Sequence, residues 1–370
     1  MNRIVYDYQI FASQQFGGIS RYICELAMRV RQASDFESMV IAPLHFNNYL
    51  AACNTPRIGW HLPLLPHTQR IYRATNRALS PAITRVLSPS LVHRTYFTPL
   101  PRPRKTPVVI TVYDMIHEIF AGTYPKGDRT SQDKRRSLDE ADHILSISES
   151  TASDLVHLFG IPRSKISVTH LGYSEIFSAP APLGEVSPHA RPYILYVGNR
   201  WGYKNFDLAL NAYASSLALR ASFDLVMFGG PPLGTTEQQR ITGLGLSLTN
   251  VVRLSGSDVE LARAYRHARA FVYPSRYEGF GIPPLEAMAA GCPVVASDVS
   301  SIPEVVGPAA LMFPPDDVDA ARSALESACF DNLARDRLVA AGRRRATTFS
   351  WDRCALETLA LYRRILSQPA

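Results

Sequence analysis

Short apolar runs alternate with helix-length segments along almost the whole of this 370-residue chain. Runs of this kind, rich in valine, isoleucine and leucine, are typical of strands that are buried on both faces of a parallel sheet. A regular alternation of strand and helix favours an α/β architecture over a helical bundle or a β-sandwich. We therefore predict an α/β fold with parallel sheets.

The apolar runs form two groups along the chain. In the first half they cover residues 3–6, 38–41, 91–93, 107–112, 143–147 and 166–169. In the second half they cover residues 193–197, 223–228, 250–254, 270–273, 293–296 and 310–313. Because the chain is longer than a single hydrophobic core usually supports, two similar domains are expected.

A proline-rich segment without apolar periodicity, residues 178–188, is the best candidate for the linker between the domains. The expected boundaries are 1–180 for the N-terminal domain and 190–350 for the C-terminal domain. The remaining segment, 351–370, begins with an amphipathic pattern that places Leu356, Leu359, Tyr362 and Leu366 on one stripe of a helix.

Two glutamates, Glu278 and Glu286, lie on either side of a glycine-containing turn after the apolar run 270–273. Pro283 or Pro284 fits the first turn of a following helix, where no amide hydrogen is needed. The carboxyl ends of parallel strands are where open α/β folds bind ligands. Carboxylates at that edge can accept hydrogen bonds from a polyol, although the spacing alone also fits glutamates on a helix surface.

A second candidate site follows the strand at residues 193–197. Arg200 and Lys204 lie in a loop after Gly198 and before a predicted helix over residues 206–219. Cations beside the amino end of a helix can hold a diphosphate through their charge and the helix amides. The alternative is that both side chains are ordinary solvated charges of a loop.

The sequence of residues 278–297, Glu-Gly-Phe-Gly-Ile-Pro-Pro-Leu-Glu-Ala-Met-Ala-Ala-Gly-Cys-Pro-Val-Val-Ala-Ser, closely resembles the donor-site signature of the retaining, family 4 glycosyltransferases. That resemblance implies the GT-B fold, in which two Rossmann-like domains face a cleft and a C-terminal helix returns to the first domain. It implies that Glu278 contacts the transferred sugar and Glu286 the ribose of a nucleotide. The donor-binding residues implied between them are Gly279, Phe280, Gly281 and Ile282.

The same resemblance gives a role to the cations after Gly198. Lys204 stands six positions after this glycine, where family members carry a lysine that meets the leaving diphosphate. The arginine that usually follows the glycine is replaced by Asn199, and Arg200 is the candidate to substitute for it in donor binding.

Candidate acceptor-side residues lie in the first domain. Gly17 and Gly18 precede a predicted helix over residues 22–30 and could bring amides and the helix dipole to a phosphate or to the acceptor, as their counterparts do in the family. Asp114 and His117 follow the strand at 107–112 and are candidates to orient or deprotonate an acceptor hydroxyl. A satisfied buried histidine is the alternative for His117.

The opening of the chain, from Tyr6 to Tyr22, resembles bacterial mannosyltransferases of polysaccharide and O-antigen assembly. The resemblance implies transfer of mannose from GDP-mannose, with retention, to a hydroxyl of a cell-surface or lipid-linked glycan. Neither a cofactor nor a metal is expected, because protein cations can stabilise the leaving diphosphate. The alternatives are a sugar phosphorylase or a nucleotide-sugar epimerase on the same fold, or a non-enzymatic basic binding protein.

Charge is distributed unevenly in a chain with net charge +7 and an isoelectric point near 9.2. No acidic residue occurs between Glu37 and Asp114. The basic residues of this stretch are Arg57, Arg70, Arg73, Arg77, Arg85, Arg94, Arg102, Arg104 and Lys105. Interleaved with leucines and isoleucines, they predict a surface that can lie on an anionic membrane or hold a lipid diphosphate.

Nucleic acid is the competing partner for such a surface, but no nucleic-acid motif occurs, and the two glutamates would repel phosphates in the main site. An ordinary basic face is the remaining alternative. With an acidic residue early in the chain and no apolar stretch long enough to span a bilayer, we expect a cytoplasmic protein, peripheral to the inner face of the membrane.

Overall fold

The computed structural model describes residues 1–33, 35–101 and 106–367. The chain divides into two compact units. The second unit runs from Tyr173 to Ser350, and the first contains the described residues before and after it. The proline-rich segment 178–188 therefore lies within the second unit, a few residues after the division.

The first unit is built on a parallel sheet of seven described strands in the order β3-β2-β1-β4-β5-β6-β7. The strands are β1 (Asn2–Tyr6), β2 (Phe36–His45), β3 (Arg57–His61), β4 (Leu91–Arg94), β5 (Val108–Val112), β6 (His143–Ser146) and β7 (Ile166–Val168). The helices between them are α1 (Gly18–Gln32), α2 (Asn48–Ala52), α3 (Gln69–Leu87), α4 (Ile116–Ile119), α5 (Thr130–Glu140) and α6 (Glu149–Phe159).

The second unit contains a parallel sheet of six described strands in the order β10-β9-β8-β11-β12-β13. The strands are β8 (Tyr193–Val197), β9 (Asp224–Phe228), β10 (Val251–Leu254), β11 (Ala270–Tyr273), β12 (Val294–Ser297) and β13 (Ala310–Phe313). The helices are α7 (Phe206–Ser215), α8 (Leu217–Ser222), α9 (Thr235–Gly243), α10 (Asp258–His267), α11 (Ile282–Ala289), α12 (Ile302–Val306), α13 (Val318–Phe330) and α14 (Asn332–Ala346).

Both sheets follow the doubly wound pattern, in which the strand order reverses beside the first strand of the unit. In the first sheet β1 lies between β2 and β4, and in the second β8 lies between β9 and β11. The loops that follow such neighbouring strands diverge and leave room for a ligand at the carboxyl edge. All the paired strands are parallel, which confirms the predicted α/β class.

Every apolar run predicted as a strand forms one. The predicted and observed ends agree within one residue in every strand except β2, which begins two residues earlier and ends four residues later than predicted. Strand β3 was not predicted. It lies at the edge of its sheet, and its sequence Arg-Ile-Gly-Trp-His lacks the apolar run that marks the central strands. Gly59 has a φ of +144° and lies against the backbone of Ala42, where a side chain has no room.

Helix α15 (Trp351–Leu366) belongs to the first unit, where it packs on α1. The Tyr362 hydroxyl contacts the Tyr6 hydroxyl at 3.2 Å and Nδ1 of the buried His93 at 2.5 Å. The predicted stripe was partly wrong, because Leu356 is 65% exposed whereas Leu359 and Tyr362 are buried. The rest of the predicted segment, residues 368–370, lies outside the described residues.

None of the helices in the described ranges has the length and apolar character that crossing a bilayer requires.

Candidate active site

The loop between β11 and α11 places Glu278 at the carboxyl edge of the second sheet. The Glu278 amide donates to the Ser300 hydroxyl at 2.9 Å, and the Ser301 hydroxyl donates to the carbonyl oxygens of Glu278 and Phe280 at 2.9 and 2.7 Å. Gly281 caps α11 with a φ of +119°, which favours glycine. The backbone of the loop is thus fixed on both sides of the carboxylate.

Lys204 reaches the same edge from the loop between β8 and α7. Asn205, which follows it, has a left-handed backbone, and its side-chain amide donates to the carbonyl oxygens of Pro274 and Pro315 at 3.0 and 2.8 Å. The Arg276 amide donates to the Tyr203 carbonyl oxygen at 2.7 Å. The bonds to Pro274 and from Arg276 join the loops that follow the adjacent strands β8 and β11. The bond to Pro315 joins the same loop to the segment after β13.

The two predicted catalytic side chains of this unit meet. Lys204 Nζ lies 2.8 Å from Glu278 Oε1, and the side chains are 20% and 10% exposed. The ammonium group also lies over the rings of Tyr203 and Tyr273, at 5.2 and 5.6 Å from their centroids. Burial raises the pKa of the Tyr273 hydroxyl well above its usual value, and the charge and hydrogen bond of Glu278 raise it further.

The Lys204–Glu278 pair therefore lies among aromatic side chains. Tyr196, the neighbour of Tyr273 on β8, likewise has its pKa raised by burial first and by the Glu278 charge second. A ligand with an anionic part and hydroxyl groups can take over both partners, the anion contacting Lys204 and the hydroxyls contacting Glu278.

Glu286 lies in α11, about one turn after the helix begins, and it is buried. Tyr265 in α10 has its pKa raised well above the usual value by burial and then by the negative charge of Glu286. In the described part of the chain, the Tyr265 hydroxyl has no hydrogen-bond partner. The two groups form a polar pair within a buried layer, and the contact of Glu286 with a ribose stays a prediction.

Arg200 is held inside the unit. Its side chain is 1% exposed, and Nε and Nη2 donate to the two carboxylate oxygens of Glu237 at 2.7 and 3.2 Å. Nη2 also donates to the Pro231 carbonyl oxygen at 2.7 Å. Arg200 thus lies in the same loop as Lys204, and its guanidinium is held by Glu237 of α9. Its role in donor binding stays a prediction.

In the first unit, the predicted acceptor-side residues have partners of their own. Ile116 N donates to Asp114 Oδ1 at 3.1 Å. The His117 ring stacks on Tyr124 with centroids 4.2 Å apart, and its Nε2 lies 3.7 Å from Asp128 Oδ2. His117 is half-buried, so the ring is neither a fully enclosed core histidine nor an unpaired base.

Gly17 and Gly18 lie at the start of α1, which begins four residues before the predicted helix. Gly17 caps the helix with an extended backbone, and a side chain there would collide with Gln14. The structure thus places both glycines at the amino end of α1, with Gly17 as the cap and Gly18 as the first helical residue. Their contact with a ligand stays a prediction, as do the contacts of Gly279 and Ile282.

Several residues that support the site were not predicted: Tyr196, Tyr273, Glu237, Arg253, Ser300 and Ser301. Arg253, for example, supports the turn after β9, because its guanidinium donates to the carbonyl oxygens of Gly229 and Gly230. Five of them lie in the last two residues of a strand or in the segment that follows one, whereas Glu237 lies in α9. Only these positions could have indicated the five. Serine, tyrosine and arginine are common at such positions, so the sequence carries no specific signal.

Two protein-family models match this chain. Residues 184–345 match the family model described as glycosyl transferases group 1, and residues 16–175 match the model described as glycosyltransferase family 4. Together the two models account for most of the chain, with one model in each structural unit.

Among curated proteins, the chain is 29% identical over 370 residues to the O-antigen chain mannosyltransferase B of Escherichia coli, with 94% of this chain and 96% of the relative covered. It is 33% identical over 245 residues to the MMP alpha-(1->4)-mannosyltransferase of Mycolicibacterium hassiacum, covering 64% of this chain and 57% of the relative. The O-antigen chain mannosyltransferase RfbU of Salmonella typhimurium is 25% identical, with 84% and 86% covered.

Solved structures share the fold at low identity. The sucrose-phosphate synthase of Thermosynechococcus elongatus superposes with a TM-score of 0.77 at 19% identity, covering 99% of this chain and all of that one. WaaG, a glycosyltransferase involved in lipopolysaccharide biosynthesis, gives a TM-score of 0.74 at 17% identity, with both chains fully covered. The fold and the site define an enzyme of the GT-B glycosyltransferase class.

The two family models narrow that class. The chain belongs to the family 4 glycosyltransferases of the GT-B fold.

Proposed function

We propose that this enzyme transfers mannose from GDP-mannose, with retention of configuration, to a hydroxyl of a lipid-linked or cell-surface glycan. The observation that carries the proposal is the Lys204–Glu278 pair at the carboxyl edge of the second sheet, with Glu286 buried on the next helix. The names of the relatives that cover most of this chain, both O-antigen mannosyltransferases, support mannose as the sugar.

In the proposed reaction, the diphosphate of the donor replaces Glu278 as the partner of Lys204. The ammonium group then stabilises the negative charge that develops as the bond between the sugar and the diphosphate breaks. Glu278, released from the lysine, accepts hydrogen bonds from the sugar while oxocarbenium character develops. Glu286 accepts hydrogen bonds from the ribose, which fixes the donor relative to both groups.

A thermal-shift panel of nucleoside diphosphates tests the donor proposal first. We expect GDP to raise the melting temperature more than UDP, ADP or CDP, because ligand that binds only the folded state stabilises it. Transfer is then tested with GDP-mannose and a lipid-linked glycan extract. Release of GDP that depends on the acceptor supports transfer, whereas interconversion of the donor without an acceptor would indicate an epimerase.

Removal of divalent metal should leave activity intact. The proposed site obtains its positive charge from Lys204 and from helix amides, so the reaction does not need a metal to neutralise the leaving group. The triplet Asp317-Val318-Asp319 has the spacing of a metal-binding motif, but Asp317 accepts the Ala320 amide at 2.8 Å and Asp319 pairs with Arg322 at 2.8 Å. Both aspartates therefore have partners at the start of α13, where Asp317 caps the helix.

The measurement is the initial rate of transfer before and after treatment with EDTA, with a known metal-dependent transferase as the positive control. Equal rates are expected. A loss of activity that magnesium or manganese restores would contradict this part of the proposal.

The lipid-linked nature of the acceptor is supported by the surface of the first unit. Several large apolar side chains are exposed on β3, α3 and the segment between them: Trp60, Leu62, Leu64, Leu65, Ile71, Leu79 and Val86. Arg70, Arg73, Arg77 and Arg85 are exposed on α3. Exposed apolar groups beside cations fit the interface of an anionic membrane.

Other members of the predicted basic stretch do not belong to this surface. Arg94 is buried, and its guanidinium is bonded to Glu140 and to the Leu100 carbonyl oxygen at 2.7 Å each. Arg102, Arg104 and Lys105 lie outside the described residues. The membrane-facing surface that we propose is therefore limited to β3, α3 and the chain between them.

A cavity of about 300 Å³ beside α3 is suited to the anionic group of such an acceptor. Its lining contains two cations, Arg73 and Arg77, and one carboxylate, Asp133. Tyr8 and Gln9, which follow β1, and Tyr96, which follows β4, also line it. It therefore lies at the carboxyl edge of the first sheet. Burial raises the pKa of Tyr8 to about 12, so its hydroxyl stays protonated and can donate a hydrogen bond to phosphate.

We expect the enzyme to bind vesicles that contain anionic lipid, and added salt to weaken this binding, because exposed charges are screened within about 8 Å at physiological ionic strength. Replacing Arg70, Arg73 and Arg77 together by glutamate should release the protein while its affinity for GDP stays unchanged. Co-sedimentation with vesicles measures the first effect and isothermal titration the second.

Vesicles made only of neutral lipid are the control, and they should bind poorly. If the triple variant stays bound, or if the parent protein never binds, α3 is a solvated face and the acceptor is a soluble saccharide.

A further inference from the structure

The side-chain geometry around Arg200 leaves one of its nitrogens without a bond. Nε and Nη2 are both occupied by Glu237 and Pro231, but Nη1 is buried and has no hydrogen-bond partner among the described residues. A buried donor that is left unpaired destabilises the folded protein. An unpaired buried donor near the end of a strand is a reason to look for a ligand that accepts its hydrogen bond.

The position of Nη1 is defined by two glycines at the ends of adjacent strands. A β-carbon placed on Gly230 would lie 2.8 Å from Arg200 Nη1 and 3.1 Å from the Gly198 carbonyl oxygen. Gly198 follows β8 and Gly230 follows β9, and both have positive φ. Nη1 therefore lies at the carboxyl edge of the sheet. It approaches the Gly230 backbone so closely that a side chain at this position would collide with it.

The glycine turn itself is held from the other side. Arg253 Nε donates to the Gly230 carbonyl oxygen at 2.9 Å and Nη2 donates to it at 2.6 Å. Arg200 and Arg253 thus lie on two sides of the Gly229–Gly230 turn, and Arg200 carries the unpaired donor. The loop that bears Arg200 is also the loop that bears Lys204.

We propose that Glu237 is a positioning residue for donor binding: its carboxylate holds the Arg200 guanidinium so that Nη1 is directed at an oxygen of the donor diphosphate. This inference rests on the proposed function, because it assigns the ligand of Nη1 to the same nucleotide. The bidentate contact fixes the plane of the guanidinium as well as its place, which a single contact would not do. Arg200 also lowers the pKa of Glu237 through its hydrogen bonds, so the carboxylate is ionised at neutral pH.

The neighbouring Asp207–Arg240 pair provides a matched control. It joins α7 to α9, whereas the Arg200–Glu237 pair joins the loop before α7 to α9. Arg240 lies about one helical turn from Glu237, and the side chains of Asp207 and Arg240 are both 47% exposed. Both pairs line the same cavity of about 340 Å³. Asp207→Asn removes an ion pair from this region without touching Arg200, whereas Glu237→Gln removes the charge and one acceptor that hold Arg200.

The experiment compares the affinities of the wild type, Glu237→Gln and Asp207→Asn for two ligands, the nucleoside diphosphate that the wild type binds best and the corresponding nucleoside. We expect Glu237→Gln to weaken the diphosphate by at least about tenfold, as a displaced polar contact does, and to leave the nucleoside within twofold. Asp207→Asn should change neither affinity. Isothermal titration and ligand-observed NMR measure them, and melting temperatures confirm that both variants are folded.

Three results would overturn the inference. Equal loss of affinity for both ligands would mean that Glu237 supports only the structure of the unit. Tighter binding of the diphosphate would mean that Glu237 keeps Arg200 away from the donor. Unchanged affinity would mean that Nη1 does not meet the donor. If the wild type binds no nucleoside diphosphate at all, the proposed function fails first, and this inference fails with it.

Discussion

Replacing Lys204 by alanine is expected to lower the turnover number by about a hundredfold or more, the loss that is typical when one charge stabiliser of a leaving group is removed. The lysine lies 2.8 Å from Glu278 and over two tyrosine rings, so no other described cation takes its place in that contact. The alanine variant also leaves the Glu278 carboxylate without its cation. Single-turnover kinetics with saturating donor measures the effect on the chemical step.

Arg276→Ala is the matched control for this prediction. Arg276 lies in the loop of Glu278, and its side chain pairs with the exposed Asp316 at 3.1 Å. Its backbone amide, which joins the two loops, is retained in the variant. Because an exposed ion pair contributes little, turnover should stay within about twofold of the wild type. Near-normal turnover in Lys204→Ala itself would remove the lysine from the mechanism.

The central strands could be predicted from the sequence because they are buried on both faces. Strand β11 is predicted at the residues where it is found, since Ala-Phe-Val-Tyr is apolar throughout. Strand β3 could not be predicted in this way, because an edge strand with Arg57 and His61 at its ends is partly solvated. The sequence feature that identifies a strand is therefore a continuous apolar run, which results from burial on both faces. This feature is weaker in strands at the edges of a sheet.

Side-chain partners were harder to predict than backbone positions. Lys204 and Glu278 were each assigned to the donor site, but nothing in the sequence indicates that they contact each other across a separation of 74 residues. Arg200 shows the same limit, because its partner Glu237 lies in a helix that begins after a different strand. Which side chains meet is decided by the order of strands in the sheet, and that order follows from long-range packing.

The histidine near the first sheet illustrates why residue type alone is a weak guide. His117 was predicted as an acceptor-side group because it follows a buried strand. Its ring stacks on Tyr124 and faces Asp128, neither of which the motif contains. A role of His117 in acceptor activation stays a prediction. In that role, the ring would exchange its contact with Asp128 for a contact with the acceptor hydroxyl.

Replacing Glu286 by alanine is expected to weaken the binding of the free nucleoside diphosphate by roughly a hundredfold, since hydrogen bonds to a charged group contribute about 1.5–3 kcal/mol each. The carboxylate is buried in α11 beside Tyr265, whose hydroxyl has no partner in the described chain. A ribose hydroxyl bound there would meet the carboxylate in a place that water reaches poorly. Isothermal titration of the wild type and the variant gives the change in affinity.

The ribose itself provides the sharper test of this assignment. The wild type should prefer the ribonucleoside diphosphate over its 2′-deoxy and 3′-deoxy forms, because a missing hydroxyl leaves the Glu286 carboxylate short of a donor. In Glu286→Ala that preference should disappear, since the variant has no carboxylate to leave unpaired. A variant that binds all three nucleotides weakly but keeps the wild-type preference would show that Glu286 supports the packing of α11 and that the ribose is bound elsewhere.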